Sequence, residues 1–230
     1  MSKGAFLIAQ NNGHIDYVKQ AVFLAKRIKK HLGIPVSVAT DSVDYLEEAF
    51  GTNDFDEVIM LDYTAESNKR YFFDGTLTKK SASFKNNNRA SAYDLTPYDE
   101  TLLMDTDYII SNDLLKSCFD SNSDFMIYKK SDDIAKVRNE QEFNTISDSS
   151  VDFYWATVVY FRKTETNSIF FNLVRHIEEE WNHYRRVYQI TSSLFRNDFA
   201  FSIAIHIMNG FQTGDFAQQL PGSMMYTIDK

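Results

Sequence analysis

The apolar positions near the start of the chain alternate between strand-like runs and helical spacing. Residues 4–10 form an apolar run, residues 15–32 carry apolar side chains at intervals of three and four, and residues 34–40 form a second apolar run. This order predicts a β-α-β unit. A short helix over 43–50 and a strand over 57–63 follow, so the pattern indicates a mostly parallel sheet with helices on both faces.

The rest of the chain repeats the same two patterns. The predicted helices cover 90–96, 111–119, 167–181 and 193–210, and the predicted strands cover 102–104, 124–130 and 155–163. Two polar stretches, 64–80 and 131–150, lack periodicity and are predicted to be loops. The second is rich in Asp, Asn and Ser, and we expect it to be mobile.

Composition narrows the class of protein. A chain of 230 residues with 43% hydrophobic content suits one sizeable domain. The formal net charge of -8 disfavours nucleic acid as a partner without excluding a local basic groove. A single cysteine, Cys118, allows no internal disulfide, and no apolar run reaches about 18 residues. We therefore expect a cytoplasmic protein without a membrane anchor.

Two acids interrupt the apolar run of residues 102–110. Asp105 and Asp107 stand where the predicted strand ends, and ligands of open α/β sheets bind outside the carboxyl ends of strands. On extended chain, acids two residues apart point the same way and could hold Mg²⁺ or Mn²⁺, with diphosphate oxygens completing the shell. The alternative is that Asp105 ends the strand and Asp107 caps a turn.

The residues around these acids resemble a known enzyme family. The block from Arg89 to Asp107, with its Leu-Thr-Pro-Tyr before the strand, is similar to the glycogenin-like, family 8 retaining glycosyltransferases of the GT-A fold. Residues 9–11 and the helix from Tyr17 resemble the family's first strand and helix. The resemblance implies a GT-A-like α/β domain over 1–230, with a Rossmann-like nucleotide-sugar-binding half (1–111) and an acceptor-side half (112–230).

The resemblance also implies a set of site residues. Asp105 and Asp107 would bind the metal and the donor diphosphate, and Thr106 lies between them. Tyr17 would stack on uracil, and three residues would line the base pocket: Ala9, Gln10 and Asn11. Arg89 would contact the donor phosphate or sugar.

Two matches depart from the family's pattern. Trp155 stands where the family holds donor sugar hydroxyls with an Asn. Asn197 and Asp198 stand where the family has Asp-Gln, and we assign Asp198 to the position beneath the anomeric carbon. The alternative is that Asp198 caps the helix that follows it.

These observations predict a metal-dependent hexosyl- or pentosyltransferase that uses Mn²⁺ or Mg²⁺ and a nucleotide-diphosphate donor, most simply a UDP-sugar, with retention implied by the resemblance. The acceptor and the oligomeric state stay open. Two other functions also stay open. One is a nucleotide-sugar-binding module without catalysis, and the other is a haloacid dehalogenase-like phosphatase, a class that also carries Asp-x-Asp after an apolar strand.

Overall fold

The computed structural model of the chain describes residues 1–12, 14–61, 68–73, 79–84, 86–134, 144–146 and 151–226. The helices are α1 (Tyr17–His31), α2 (Val43–Ala49), α3 (Ala92–Leu95), α4 (Glu165–Glu179), α5 (Trp181–Val187) and α6 (Asn197–Met208). The first seven strands are β1 (Lys3–Ala9), β2 (Val36–Thr40), β3 (Glu57–Met60), β4 (Asn68–Phe73), β5 (Lys79–Phe84), β6 (Glu100–Met104) and β7 (Phe125–Tyr128). The remaining strands are β8 (Ser131–Asp133), β9 (Thr145–Ile146), β10 (Val151–Asp152), β11 (Trp155–Arg162), β12 (Gln218–Gln219) and β13 (Met224–Tyr226).

A central sheet organises the described part of the chain. Its seven strands have the order β12-β7-β11-β6-β1-β2-β3. Strands β3, β2, β1 and β6 are parallel to one another, whereas β11 runs antiparallel to both β6 and β7. The mixed, mostly parallel sheet expected from the sequence is therefore confirmed.

The central strands are buried, although β2 carries the polar residues Ser37 and Thr40 and β6 carries Glu100 and Thr101. Every residue of β2 and of β6 is buried, which is typical of strands that are covered on both faces. Helix α1 packs on β1 and β2 through a stripe of apolar side chains, while α6 packs on β11 and on α4. A cluster of phenylalanine rings fills the contact between α4, α6 and the strands, with Phe125, Phe161, Phe170, Phe171 and Phe201 at its centre.

Hydrogen bonds join the residues that precede β1 and β6, at the edge of the sheet where these parallel strands begin. The Ser2 backbone N–H donates to a carboxylate oxygen of Asp99 at 2.8 Å, and the Asp99 N–H donates to the Ser2 hydroxyl at 3.0 Å. Gly4, on β1, lies against the ring of Tyr98, whose hydroxyl is 2.7 Å from the Ser37 hydroxyl. The start of β1 is thus tied to the loop before β6.

The two predicted loops contain strands. Within 64–80, part of the chain forms β4 and the start of β5, which pair antiparallel, so the loop prediction is wrong for those residues. The aromatic run Tyr71 to Phe73 has the β-propensity that the prediction overlooked. Within 131–150, β8 pairs with β13 and β9 pairs with β10. The rest of 131–150 largely lies outside the described residues, and its mobility stays a prediction.

Helix boundaries also differ from the predictions. The segment Leu114–Asp120 is a 3-10 helix, and α6 begins at Asn197 rather than at residue 193. Helix α5 follows α4 after a single residue and was not predicted as a separate element. Cys118 is buried, and burial raises the pKa of its thiol to about 12, consistent with a structural role. Across the described ranges, no helix combines the length and the apolar character needed to cross a membrane.

Candidate functional site

A cleft of about 190 Å³, called the first cleft below, opens at the carboxyl edge of the parallel strands. Strands β1 and β6 end there, and β11 begins there because it runs in the opposite direction. The amino ends of α1 and α6 complete the walls. The lining residues are Ile8, Tyr17, Arg89, Asp105, Thr106, Asp107, Trp155, Ala156, Thr157, Arg196, Asn197 and Asp198.

This lining brings together most of the site residues predicted from the sequence. Eight of them come from five separate segments of the chain: Tyr17, Arg89, Asp105, Thr106, Asp107, Trp155, Asn197 and Asp198. The carboxyl edge is where open α/β sheets bind ligands. The geometry therefore supports a single ligand site at the predicted place.

An ion pair forms one wall of the first cleft. Arg89 is 6% exposed, and its guanidinium Nη1 donates to Oδ1 of Asp105, whose side chain is 33% exposed. Nη2 of Arg89 donates to the backbone carbonyl of Thr157 at 2.8 Å. Within the described part of the chain, the buried Nε of Arg89 has no hydrogen-bond partner. Arg89 thus joins the helical turns before β6 to the start of β11, next to the acids.

The two acids lie on a turn rather than on extended chain. The Tyr108 N–H donates to the Asp105 carbonyl at 3.2 Å, which closes a turn over residues 105–108. Thr106 is buried and donates to the side-chain oxygen of Gln20 at 3.2 Å, whereas Asp107 is exposed. The extended geometry assumed from the sequence is therefore wrong, because β6 ends at Met104 and the chain turns at once. Both acids nevertheless line the cleft.

The carboxylates of Asp105 and Asp107 offer the hard oxygen ligands that Mg²⁺ and Mn²⁺ prefer. Magnesium sites of this type use one or two carboxylates together with substrate phosphates and water. Nowhere in the described ranges do three or more His, Cys, Asp or Glu side chains lie together in a metal-binding arrangement. A cation between these acids would therefore take most of its ligands from a bound substrate and from water.

Hydrogen bonds fix the start of α1 and with it Tyr17. Asp16 is the N-cap, and its carboxylate accepts from the Lys19 N–H at 2.9 Å and from the Tyr45 hydroxyl at 2.7 Å. Partial burial alone would raise the pKa of Asp16, but these bonds and one from Asn11 outweigh it and lower the pKa. Tyr17, the first residue of α1, is 9% exposed and lines the cleft.

The three residues assigned to a base pocket take a different position. Ala9 is fully buried, Gln10 is 3% exposed, and neither belongs to the cleft lining. Asn11 accepts from the Val18 N–H at 3.0 Å, so it holds the start of α1 instead of facing the cleft. The residue of β1 that does line the cleft is Ile8, because successive strand residues point to opposite faces.

Asp198 lines the cleft, but both of its carboxylate oxygens are engaged. Oδ1 accepts from the Ala156 N–H at 2.9 Å, and Oδ2 lies 2.6 Å from Nη2 of Arg196. Asp198 is the second residue of α6, and Arg196 occupies the N-cap position without a capping side-chain bond. The capping alternative is therefore wrong, since this carboxylate binds the neighbouring strand instead of its own helix.

Arg196 also lines the first cleft, although it was not among the site residues predicted from the sequence. It lies beside Trp155, Asn197 and Asp198 in the lining, with its side chain 32% exposed. The available signal was its position directly before the Asn197-Asp198 pair. With Arg89, it gives the first cleft two guanidinium groups against the three carboxylates of Asp105, Asp107 and Asp198.

Comparison with solved structures defines the fold. An active-site mutant of LgtC superposes with a TM-score of 0.55 at 10% identity, covering 94% of this chain and 72% of that chain. The glycosyltransferase GlyE from Streptococcus pneumoniae TIGR4 gives a TM-score of 0.46 at 13% identity; 96% of this chain is covered, and it spans 45% of the GlyE chain. A putative glucose-1-phosphate thymidylyltransferase from Bacillus anthracis gives 0.44 at 9% identity, covering 94% of this chain and 100% of that one.

The LgtC comparison shows that the chain has the GT-A-like fold. No protein-family profile and no curated protein sequence matches the chain.

Proposed function

We propose that the chain is a metal-dependent glycosyltransferase that moves a hexose or pentose from a nucleotide-diphosphate donor, most simply a UDP-sugar, to an acceptor hydroxyl. The observation that carries the proposal is the convergence of six segments on the first cleft. An aromatic ring from α1, two arginines and three aspartates meet there, at the edge where a GT-A-like sheet offers its ligand site. Such a set suits a ligand with a base, a diphosphate and a sugar.

The charge of the lining supports the need for a cation. Two arginines and three aspartates give the first cleft a formal charge of -1. A diphosphate would meet a repulsive cleft, whereas a bound Mn²⁺ or Mg²⁺ would make the lining positive. Asp107 is the exposed carboxylate, and Asp105, the ion-pair partner of Arg89, would add a second one. When bound, the cation would neutralise charge on the diphosphate.

The proposed reaction exchanges one C–O bond for another. The bond between the anomeric carbon and the diphosphate breaks, and the nucleoside diphosphate leaves with the electron pair. The acceptor oxygen bonds to the anomeric carbon and gives its proton to a base or to water. Arg89 is held by Asp105 and by the Thr157 carbonyl, so it presents a fixed positive charge beside the departing oxyanion.

Retention of the anomeric configuration is part of the proposal and follows from the family resemblance. We assign Asp198 to the position beneath the anomeric carbon, and its bonds to Ala156 and Arg196 hold it in one orientation. An NMR spectrum of the first-formed product would show the donor's anomeric configuration under retention and the opposite one under inversion.

Calorimetric titration tests the proposed donor site. UDP titrated into the protein with Mn²⁺ should bind at least about fivefold more tightly than UDP titrated with a chelator, because the diphosphate contacts both the protein and the cation. Tyr17→Leu should weaken UDP binding, because the ring that stacks on the base is lost. Phe23 is an exposed aromatic residue on the same helix, and Phe23→Ala should leave UDP binding unchanged. Asp107→Asn should remove the effect of Mn²⁺, and Asp44→Asn on α2 should keep it.

The outcomes separate the competing functions. Equal UDP affinity with and without Mn²⁺ would overturn the metal-bridged site. UDP binding that depends on Mn²⁺, without slow release of free sugar from any UDP-sugar, would favour a nucleotide-sugar-binding module that lacks catalysis. Tighter binding of an adenine nucleotide would show that the base has been misassigned.

A further inference from the structure

A second cleft of about 190 Å³ lies along the carboxyl-terminal half of α6. Its walls include Tyr154 from the chain before β11, Asp152 from β10, His206 from α6, and Phe211 and Gln212 from the loop after α6. None of its lining residues belongs to the first cleft. A helical rise of 1.5 Å per residue places His206 about 12 Å along α6 from Asp198.

Hydrogen bonds connect the two clefts through a short clasp. Ser202 accepts from the Tyr154 N–H at 2.8 Å and donates to the Asp198 carbonyl at 2.7 Å. Asp198 in turn accepts from the Ala156 N–H. The segment from Tyr154 to Ala156 is thereby bound to α6 on both sides of Trp155. These bonds link the walls of the two clefts, whose lining residues are distinct.

Phe211 lines the second cleft with its backbone in an unfavourable conformation. Its side chain is 69% exposed, and its backbone φ is 62°, in the left-handed region that non-glycine residues rarely adopt. The Phe211 N–H donates to the His206 carbonyl and the Gly210 N–H donates to the Ile207 carbonyl, both at 2.9 Å, which is the Schellman pattern at a helix end. Strained residues of this kind cluster at ligand sites.

The polar groups of the second cleft are held in place by partners outside it. The Asp152 carboxylate lies 2.7 Å from the Lys129 ammonium, so its charge is balanced. His206 Nδ1 lies 3.0 Å from the Tyr188 hydroxyl. Burial and, to a lesser extent, the Asp152 charge raise the pKa of Tyr154 to about 12, which keeps its hydroxyl protonated. The cleft therefore offers fixed donors and acceptors.

These features favour one class of ligand. The exposed ring of Phe211 provides a face for the apolar side of a sugar ring, the largely buried Tyr154 adds to the wall, and the carboxylate, imidazole and amide provide hydrogen bonds for hydroxyls. Among the described residues, the lining contains no arginine or lysine that would bind a phosphate or a carboxylate. We propose that the second cleft binds a neutral oligosaccharide, the part of the acceptor that lies away from the reacting hydroxyl.

The identification of this oligosaccharide as the acceptor rests on the proposed function, whereas carbohydrate binding in the second cleft can be tested independently of it. Saturation-transfer NMR would use maltotriose, cellotriose, xylotriose and triacetylchitotriose as probes. At least one should bind the wild type. Phe211→Gly should weaken that binding by about tenfold or more, because a stacking surface is lost. Phe23→Ala, which removes another exposed phenylalanine ring, this one on α1, should leave the trisaccharide binding unchanged.

Phe211→Gly also separates ligand binding from folding. Glycine adopts a left-handed φ without strain, and a phenylalanine that is mostly exposed contributes little burial, so the thermal midpoint should be unchanged or higher. Absence of binding by all the probes, or equal binding by Phe211→Gly and wild type, would overturn the proposal. If UDP still binds when the trisaccharides do not, the proposed function stands and the oligosaccharide site is refuted. If a trisaccharide binds and UDP does not, the oligosaccharide site stands and the proposed donor site is refuted.

Discussion

Arg89 and Asp105 form an ion pair that joins the turns before β6 to the turn after it. Arg89 is nearly inaccessible to solvent, whereas a third of the Asp105 side chain is exposed. The charge of Asp105 therefore has two roles: it lines the ligand cleft and it balances a buried guanidinium. Asp107, two residues on, is exposed.

This difference predicts that the two acids respond unequally to the same substitution. Asp105→Asn should lower the free energy of unfolding by about 1–3 kcal/mol, because it leaves Arg89 without its counter-charge. Asp107→Asn should change it by less than about 0.5 kcal/mol. Both should reduce transfer at least about a hundredfold. Urea unfolding and a UDP-release assay at saturating Mn²⁺ measure the two effects, and equal stability of both variants would contradict the counter-charge role.

The cap of α1 predicts a pH-dependent contribution to stability. Asp16→Ala should cost about 1–2 kcal/mol at neutral pH, because the Lys19 N–H loses its acceptor. The pKa of Asp16 is lowered on folding, so its contribution is complete above the ordinary value of 3.8 and disappears as pH falls through the folded value. Denaturant titrations should show wild type and Asp16→Ala converging in acid. Asp16→Asn keeps a side-chain acceptor for the Lys19 N–H, so at neutral pH it should lower the free energy of unfolding by less than Asp16→Ala does.

Glu178 predicts the opposite pH dependence. Burial, with repulsion from Glu179, raises its pKa from 4.5 to about 7, against the opposing effect of Arg175. The folded state therefore binds an extra proton between these values, and stability falls as pH rises through that window. Glu178→Gln should be more stable than wild type by ~1–2 kcal/mol at pH 8 and no more stable at pH 4. Glu48→Gln, at an exposed position of α2 away from Glu178, is the control, and a benefit that does not vary with pH would refute the assignment.

The amino edge of the sheet predicts a steric effect at Gly4. A Cβ at this position would overlap the buried ring of Tyr98, which the Ser37 hydroxyl holds in place. Gly4→Ala should destabilise the protein by about 1–3 kcal/mol, as overpacking does. Gly33→Ala is the comparison, because Gly33 has open space around it and a φ of 65°. Its cost of about 1–2 kcal/mol should come from backbone conformation alone. Thermal unfolding of each variant, alone and combined with Tyr98→Leu, separates the two causes. Tyr98→Leu should restore part of the stability lost in Gly4→Ala and none of that lost in Gly33→Ala.

Much of the sheet and the position of the first cleft could be predicted from the sequence. Apolar runs and helical spacing are local signals, and they identified β1, β2, β6, β11 and α1. The Asp105–Asp107 pair marked the end of β6 because acids rarely interrupt an apolar strand. The direction of these side chains could not be predicted, since the turn depends on a hydrogen bond from Tyr108 and on the Asp105 N–H donating to Thr157, which is distant in sequence.

The features that the sequence did not reveal depend on distant contacts. Strands β8 and β13 have three residues each and pair across a long sequence separation, so neither carries a periodic signal. Asp198 was expected to serve its own helix or a reacting carbon, and its bond to Ala156 requires β11 and α6 to be adjacent. The second cleft likewise exists only because the loop after α6 returns to Tyr154.

The bond between Ser2 and Asp99 has a practical consequence for surface-based assays. Because β1 rises by about 3.3 Å per residue, its amino end lies about 20 Å from the cleft at its carboxyl end. A biotin or fluorophore attached beside Ser2 would therefore sit at the opposite end of β1 from the first cleft and leave the first cleft facing the solution. Immobilisation in this orientation offers the same face to every injected nucleotide or glycan.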